Sequence, residues 1–230
     1  MDSMHARVAD DLGTRIAGYE LPAGSVISLA EVATRYGVSR TVARETIRLL
    51  ESLGMVTARR RVGITVAVES DWQVLNPRVI AWRLQGPGRE AQLRSLTELR
   101  AAVEPTAARL AATHADERDV ALLVELANCL TDLGSRGLGA TEEYLATDVR
   151  FHQTLLRCSG NEMLAKLDGV VEAVLAGRHR LGLTPPYPVR EVMEHHDTTA
   201  RAIRERMPDA AETCCRILVN RIRRELDPQP

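Results

Sequence analysis

"GVSRTVARETIRLLESLG" (residues 37–54) reads as a helix with two working faces. Val42, Ile47, Leu50 and Leu53 recur at helical spacing and form an apolar stripe. Arg40, Arg44 and Arg48 recur every four residues on another face. Ser39 stands before the first arginine, where a hydroxyl caps free backbone N–H groups, and Gly54 supplies the stop. Such a helix seats its stripe on a core and turns a positive N-terminal end toward an anion.

The surroundings give that helix a context. Residues 4–18 read as a helix ending at Gly18, and "LPAGSVIS" (21–28) as a Pro-Gly turn. "LAEVATRY" (29–36) is a short helix capped by Ser28 and stopped by Gly37. "MVTARRRVGITVAV" (55–68) holds two β-branched runs separated by Arg59, Arg60, Arg61 and Gly63, the pattern of a small hairpin. Three helices followed by a hairpin make a winged helix-turn-helix. A guanidinium forks onto O6 and N7 of guanine, which suits Arg40 and Arg44 to a major groove. Thr41 suits a phosphate or a thymine methyl, and the wing arginines, Arg61 among them, suit phosphate or the minor groove. Residues 35–61 carry seven arginines against Glu45 and Glu51, on a chain of net charge -1. That concentration is the electrostatic footprint of a DNA binder. A solvated arginine face is the plainer reading, and Arg48 fits it because the helix turns it away from its own N-terminus.

Past Glu69 the pattern changes. Residues 70–88 read as a linker with one short helix, closed by Gly86-Pro87-Gly88. From residue 89 only helices are expected. Breaks near His114 to Asp116, at 134–139, 159–161 and 183–188, and at Pro208 divide them into six. Aromatic residues are only 3% of the chain, so the core must be Leu, Val, Ala and Ile. The expected fold is mainly α. Residues 1–69 form the winged helix-turn-helix, 70–88 the linker and 89–230 an all-α bundle.

Within the bundle Asp148 and His152 lie four apart on one helical face, and His195 or His196 offers a third donor. Carboxylate and imidazole at that spacing suit one divalent metal ion. The plainer reading makes them polar groups satisfied in the core. Cys129, Cys158, Cys214 and Cys215 contain no CxxC pair, which argues against a zinc ribbon and for free thiols in a reducing compartment. The N-terminus lacks the apolar core of a signal peptide, and no apolar run approaches the ~20 residues of a membrane span. A cytoplasmic protein is expected. An enzyme built on the Asp/His cluster would need a base that the cluster does not offer, so none is expected. A nonspecific nucleoid protein is the other rival reading.

"LPAGSVIS", "LAEVATRYGVSRTVARETIRLLESLGMV" and "RRRVGITV" together resemble the DNA-binding domain of the GntR family of bacterial transcription regulators. The resemblance implies contacts to operator DNA from Ser39, Arg40, Thr41, Arg44 and Gly63. Ala30 stands where the family often has an arginine, so one backbone contact is missing. "LRAAVEPTAARLAA", "DVRFHQTLL" and "EHHDTTARAIRERMPDAAE" resemble the FCD effector domain of the FadR subfamily, an all-α bundle that senses small carboxylic acids, often with a divalent metal. That resemblance implies Asp148, His152 and His196 as metal ligands for an ion of zinc, nickel or manganese type. Counting from Pro208-Asp209, it sets Asn220 where the family's last histidine falls, so the metal is held weakly or the cluster binds effector directly. It implies Arg100 as an effector-binding arginine, against the plainer reading of a helix-surface pair with Glu104 worth ~0.2–0.5 kcal/mol. Arg178, His179 and Arg180 are further candidates. "LNPRVIAWRL" (75–84) resembles the galactonate- or gluconate-responsive branch. The implied protein is a homodimeric repressor on a short palindrome. Its effector is a sugar acid, with a lactate-type acid or an amino acid as alternatives.

Overall fold

The computed structural model describes the backbone of residues 3–59 and 61–226, with side chains as far as Arg221. Two compact units divide between Gln92 and Leu93.

In the first unit, helices α1 (Met4–Ala17), α2 (Leu29–Tyr36) and α3 (Arg40–Ser52) pack beside a three-stranded sheet. Ser28 and Glu31 close a reciprocal capping box at the start of α2, and the Ser39 hydroxyl accepts from Val42 N–H at the start of α3. Gly37 takes the left-handed conformation (φ 60°) that turns the chain between those helices. The wing is β2 (Val56–Arg59) paired antiparallel with β3 (Gly63–Val66), in the register Arg59 to Gly63 and Val56 to Val66. A third strand, β1 (Val26–Ile27), pairs with the other edge of β3, so the sheet order is β1-β3-β2. The sequence reading placed only a turn there. Two residues are too few to show a period of two.

Of the expected apolar stripe of α3, Ile47, Leu50 and Leu53 go inward, while Val42 is half-buried and Ala43 takes the core position beside it. Ala43, Ile47 and Leu50 join Val8, Leu12 and Ile16 of α1, Val32 of α2 and Ile64 and Val66 of β3 in one core. The Thr46 hydroxyl, buried on the same face, donates to the His5 carbonyl and so ties α3 to α1. Helix α4 (Pro77–Arg83), in the segment read as a linker, packs on α1. Its Trp82 is buried in the same core, and its indole N–H donates to Asp10 at 3.1 Å.

The second unit is all helix: α5 (Arg89–His114), which begins in the first unit, α6 (Glu117–Ser135), α7 (Glu142–Cys158), α8 (Glu162–Ala165), α9 (Asp168–Arg180), α10 (Arg190–Arg204) and α11 (Pro208–Leu226). The expected breaks are all present. One more falls at Lys166–Leu167, where no Gly or Pro announces it, and it cuts the four-residue α8 from α9. Helix α5 presents Ala107, Ala108, Ala111 and Ala112 to leucines of α6 and α7 and to Phe151, and small residues opposite large ones fill the core.

Gly13 of α1 is where Trp82 lies. A Cβ added there would stand 2.5 Å from the indole ring. Gly13→Val is therefore expected to cost about 1–3 kcal/mol by overpacking. Urea unfolding checks this, and an unchanged midpoint would mean that the Trp82 contact is not fixed.

Candidate functional site

The DNA-facing candidates lie on the first unit. Arg40, Thr41 and Arg44 are exposed along α3, while Arg48 is engaged by Glu45 at 2.7 Å. Arg44, Arg48, Arg59 and Gly63 line one groove between α3 and the wing. Arg61 is exposed at the wing tip with φ 69°, and Arg60 lies outside the described residues. Gly63 also has a structural duty. Its φ is 111°, and a Cβ would meet the Val26 side chain at 2.9 Å and the Ile27 carbonyl at 3.2 Å. That glycine lets β1 approach β3.

The second unit brings Asp148 and His152 of α7 together with His196 of α10. Their ligand atoms lie within 4.8 Å of one another. His196 is buried and faces in, while its neighbour His195 lines a separate cleft. Asp148 Oδ1 stands 3.2 Å from His196 Nε2 and 3.4 Å from His152 Nε2. His196 Nδ1 lies 2.9 Å from the Val192 carbonyl. A carbonyl only accepts, so Nδ1 carries a proton and Nε2 is the nitrogen turned toward Asp148. Asp148 Oδ1 and His196 Nε2 are both inaccessible to water, and neither has a hydrogen-bond partner among the described residues. Burial pushes the Asp148 carboxyl up, but His152 and His196 outweigh it and hold it well below the usual carboxylate range. Phe151 sets its ring edge-on to both imidazoles, at 5.4 Å and 5.0 Å between centroids.

A cavity opens onto this cluster. Asp148 and His196 form part of its lining with Tyr144, Arg178, His179 and Thr184. Its roof is the strap 183–189, which rests on a glycine-rich turn. Gly139 N–H donates to the Pro186 carbonyl at 2.8 Å, and a Cβ at Gly137 would meet the Tyr187 ring at 2.5 Å. Arg178 Nη2 donates to the Leu183 carbonyl, where the strap begins.

Two expected members do not line the cavity. Asn220 is half-buried in a cleft with Glu191, His195, Arg216 and Arg221. The buried face of α11 is Ala211, Cys215, Leu218 and Val219. Two residues past Leu218 is about 200° around a helix, and that rotation carries Asn220 off the face. Arg100 does not line the cavity. It stands behind His152, 1% exposed, with its guanidinium engaged by Glu104 one turn on. The pair is not on the helix surface either, since Glu104 is fully buried. Glu104 is thus the member of the site that the sequence reading missed. A signal was present: Leu96, Arg100, Glu104, Ala107 and Ala111 form one helical stripe.

Burial pushes the Glu104 carboxyl up, and Arg100 with His152 overcomes this and holds it at about 2. A carboxyl held below its ordinary 4.5 contributes stability that is complete above that value and is lost as pH falls toward 2. Chelator-treated protein is therefore expected to lose stability across that window. Glu104→Ala is expected to cost about 3–5 kcal/mol at neutral pH, because it leaves a buried guanidinium unpaired. Denaturant titrations at several pH values test both, and a flat acid profile would remove Glu104 from the account.

The sequence pattern described as "FCD domain" matches residues 95–221, and that described as "Bacterial regulatory proteins, gntR family" matches residues 4–66. The galactonate operon transcriptional repressor of Escherichia coli (strain K12) is 26% identical over 208 residues, 90% of this chain and 89% of that protein. The HTH-type transcriptional repressor NanR of Salmonella newport (strain SL254) is 24% identical over 229 residues, 94% and 82% of the two chains. Streptococcus agalactiae GntR superposes with a TM-score of 0.52 at 25% identity, covering 96% of this chain and 99% of that one. E. coli McbR/YncC shares the fold at a TM-score of 0.56 and 20% identity, covering 98% of each chain. With the FCD pattern spanning over half its length behind a matched DNA-binding domain, the chain belongs to the GntR family of bacterial transcription regulators.

Proposed function

We propose that this regulator is a repressor that leaves its operator when a small carboxylic acid, of the sugar-acid class, enters the cavity of its FCD domain. The observation that carries the reading is the contact of Asp148 Oδ1 with His196 Nε2 at 3.2 Å, two water-inaccessible acceptors without a hydrogen-bond partner among the described residues. Two such acceptors require a cation between them, a proton in the metal-free chain and a divalent ion in the loaded one.

The donor set fits the ion. Two imidazoles and one carboxylate suit zinc, nickel or manganese, and the Val192 carbonyl fixes the His196 tautomer with Nε2 toward the site. Asp148, His152 and His196 would hold the ion, which when bound supplies a Lewis-acid anchor for a carboxylate oxygen. The walls supply the rest. Arg178 and His179 bring positive charge or donors, and Tyr144 and Thr184 bring hydroxyls that suit a polyhydroxy acid. Burial first, then the charge of Asp148, raises the Tyr144 phenol, so it stays a donor. The name of the galactonate operon repressor supports the sugar-acid class.

On the DNA side Ser39, Arg40, Thr41, Arg44 and Arg61 are assigned to operator contacts, with two copies of the chain on a short palindrome. The assigned division of labour is 1–69 for DNA, 70–88 for connection and 89–230 for sensing. A tenfold loss of DNA affinity on effector binding needs ~1.4 kcal/mol of coupling between the sites.

A thermal-shift screen of gluconate, galactonate, related sugar acids, lactate, amino acids and fatty acyl ligands, with and without chelator, tests the pocket. A ligand at a hundred times its dissociation constant adds ~2.7 kcal/mol to the folded state. Sugar acids are expected to raise the melting temperature, and chelator to abolish the rise. A shift with lactate or an amino acid alone would reassign the class, and no shift with any acid would sink the pocket reading. Arg40→Ala is expected to lose about 1–3 kcal/mol of discrimination between operator and random DNA. Equal weakening on both sequences would make Arg40 a phosphate contact.

A further inference from the structure

The cluster does not end at the residues that line the cavity. Behind His152 lie Arg100 and Glu104, both on α5, at 1% and 0% exposure. Arg100 Nε donates to Glu104 Oε1 at 2.5 Å and Nη2 donates to Oε2 at 3.2 Å. Oε2 also stands 2.9 Å from His152 Nδ1, a buried nitrogen that makes no aligned hydrogen bond among the described residues. On the other side of the ring, Nε2 lies between Arg100 Nη2 at 3.2 Å and Asp148 Oδ1 at 3.4 Å. One carboxylate thus meets a guanidinium and the far nitrogen of a candidate ligand.

The geometry points to Glu104 as the positioning residue of the metal centre: its carboxylate is the acceptor set beside the Nδ1–H of His152, which leaves Nε2 as the ligand atom facing Asp148. The inference rests on the metal reading above. A neutral imidazole carries one proton, and whichever nitrogen holds it does not bind metal. Nδ1 has an anionic acceptor at 2.9 Å, while the Nε2 side holds Asp148 Oδ1, itself without a hydrogen-bond partner among the described residues. Arg100 holds the buried carboxylate in place through two hydrogen bonds, and a carboxylate at the far nitrogen orients the ring and makes it a stronger donor to metal. Arg100 has a second effect. Its Nη2 now shares the Nε2 lone pair, so an arriving ion takes over that contact while Arg100 keeps its two bonds to Glu104. A simple structural pair between Arg100 and Glu104 would not need the imidazole at 2.9 Å. The His196 ring has its tautomer set by a backbone carbonyl, so the two histidines of the site are oriented by different devices.

The test uses the full chain and zinc ion as probe. Zinc affinity is measured by competition with a chromophoric chelator for the natural protein and for Glu104→Gln. An amide can accept from Nδ1 only by turning its NH₂ group toward Arg100, so it does not serve both partners. The variant is expected to bind zinc 10–100-fold more weakly. Nitrogen NMR of the imidazoles, with the His152 signals identified by their loss in His152→Ala, supplies a readout that needs no folded Glu104 variant. In the natural protein, zinc is expected to shift Nε2 of His152 while Nδ1 keeps its proton. Zinc on Nδ1, or equal affinity in a folded Glu104→Gln variant, overturns the inference and leaves the metal reading standing. Natural protein that takes up no zinc overturns both, which separates the two failures.

Discussion

A patch of charge buried inside a bundle of small apolar residues constrains the second unit more than any apolar contact does. Arg100, Glu104, His152 and His196 are each nearly inaccessible, and Asp148 keeps only 17% of its side-chain surface. An isolated ion in such a place costs several kcal/mol, and only mutual pairing recovers it. The pairs here join α5 to α7 through Glu104 and His152, and α7 to α10 through Asp148 and His196. No one of these helices slides by a residue without stranding a charge. Apolar packing tolerates substitutions of similar volume, but a charge network accepts one register. The polar patch therefore sets how three helices meet.

The apolar part of the core serves that patch. The alanines of α5 let its neighbours come close, and the α7 imidazole meets the Glu104 side-chain carboxylate of α5, one turn from Arg100. Phe151 is the only phenylalanine in the chain. It stands edge-on to both histidine rings and closes the inner side of the site. The outer side has the strap instead, with prolines that need no backbone donors and glycines beneath that leave room for it. The site therefore meets the packed core on one side and a loop on the other. Such a loop suits a cavity that must admit a molecule.

Legibility in the sequence followed the range of the information. The caps at Ser28 and Ser39 and the turn at Gly37 are local and form as read, as does the stripe of α3 apart from half-buried Val42. Strand β1 is not local. Val26 and Ile27 become a strand only because Gly63, far along the chain, leaves space beside β3. The break before Asp168 carries no punctuating residue. Asp148, His152 and His196 were legible from spacing and resemblance, and they do converge. Glu104 was set aside because an i,i+4 pair on a helix is usually a surface feature. Extending the Leu96-to-Ala111 stripe through it would have put it inside. Asn220 lies outside the cavity for the opposite reason. Its position was counted across the Pro208 turn, where a slip of two residues changes which face of α11 is meant.

The two units use charge in opposite ways. Arg40 and Arg44 are exposed, and the attraction of an exposed cation for an anion is large at low salt and fades as salt rises. The Arg100–Glu104–His152 group is sealed, and ions in solution hardly screen it. A reader of DNA benefits from the first kind, since weak, salt-dependent attraction lets it search before it settles. The second kind keeps its geometry whatever the ionic strength of the surroundings. Rigid seating links the requirements within each unit. Thr46 ties α3 to α1, so its arginines project from a fixed helix, just as Glu104 and the Val192 carbonyl lie against the imidazoles of the cluster. In both places a buried polar contact holds the element that carries the exposed or ligand-facing group, and the chemistry at the tip depends on the hydrogen-bonding atoms beneath it.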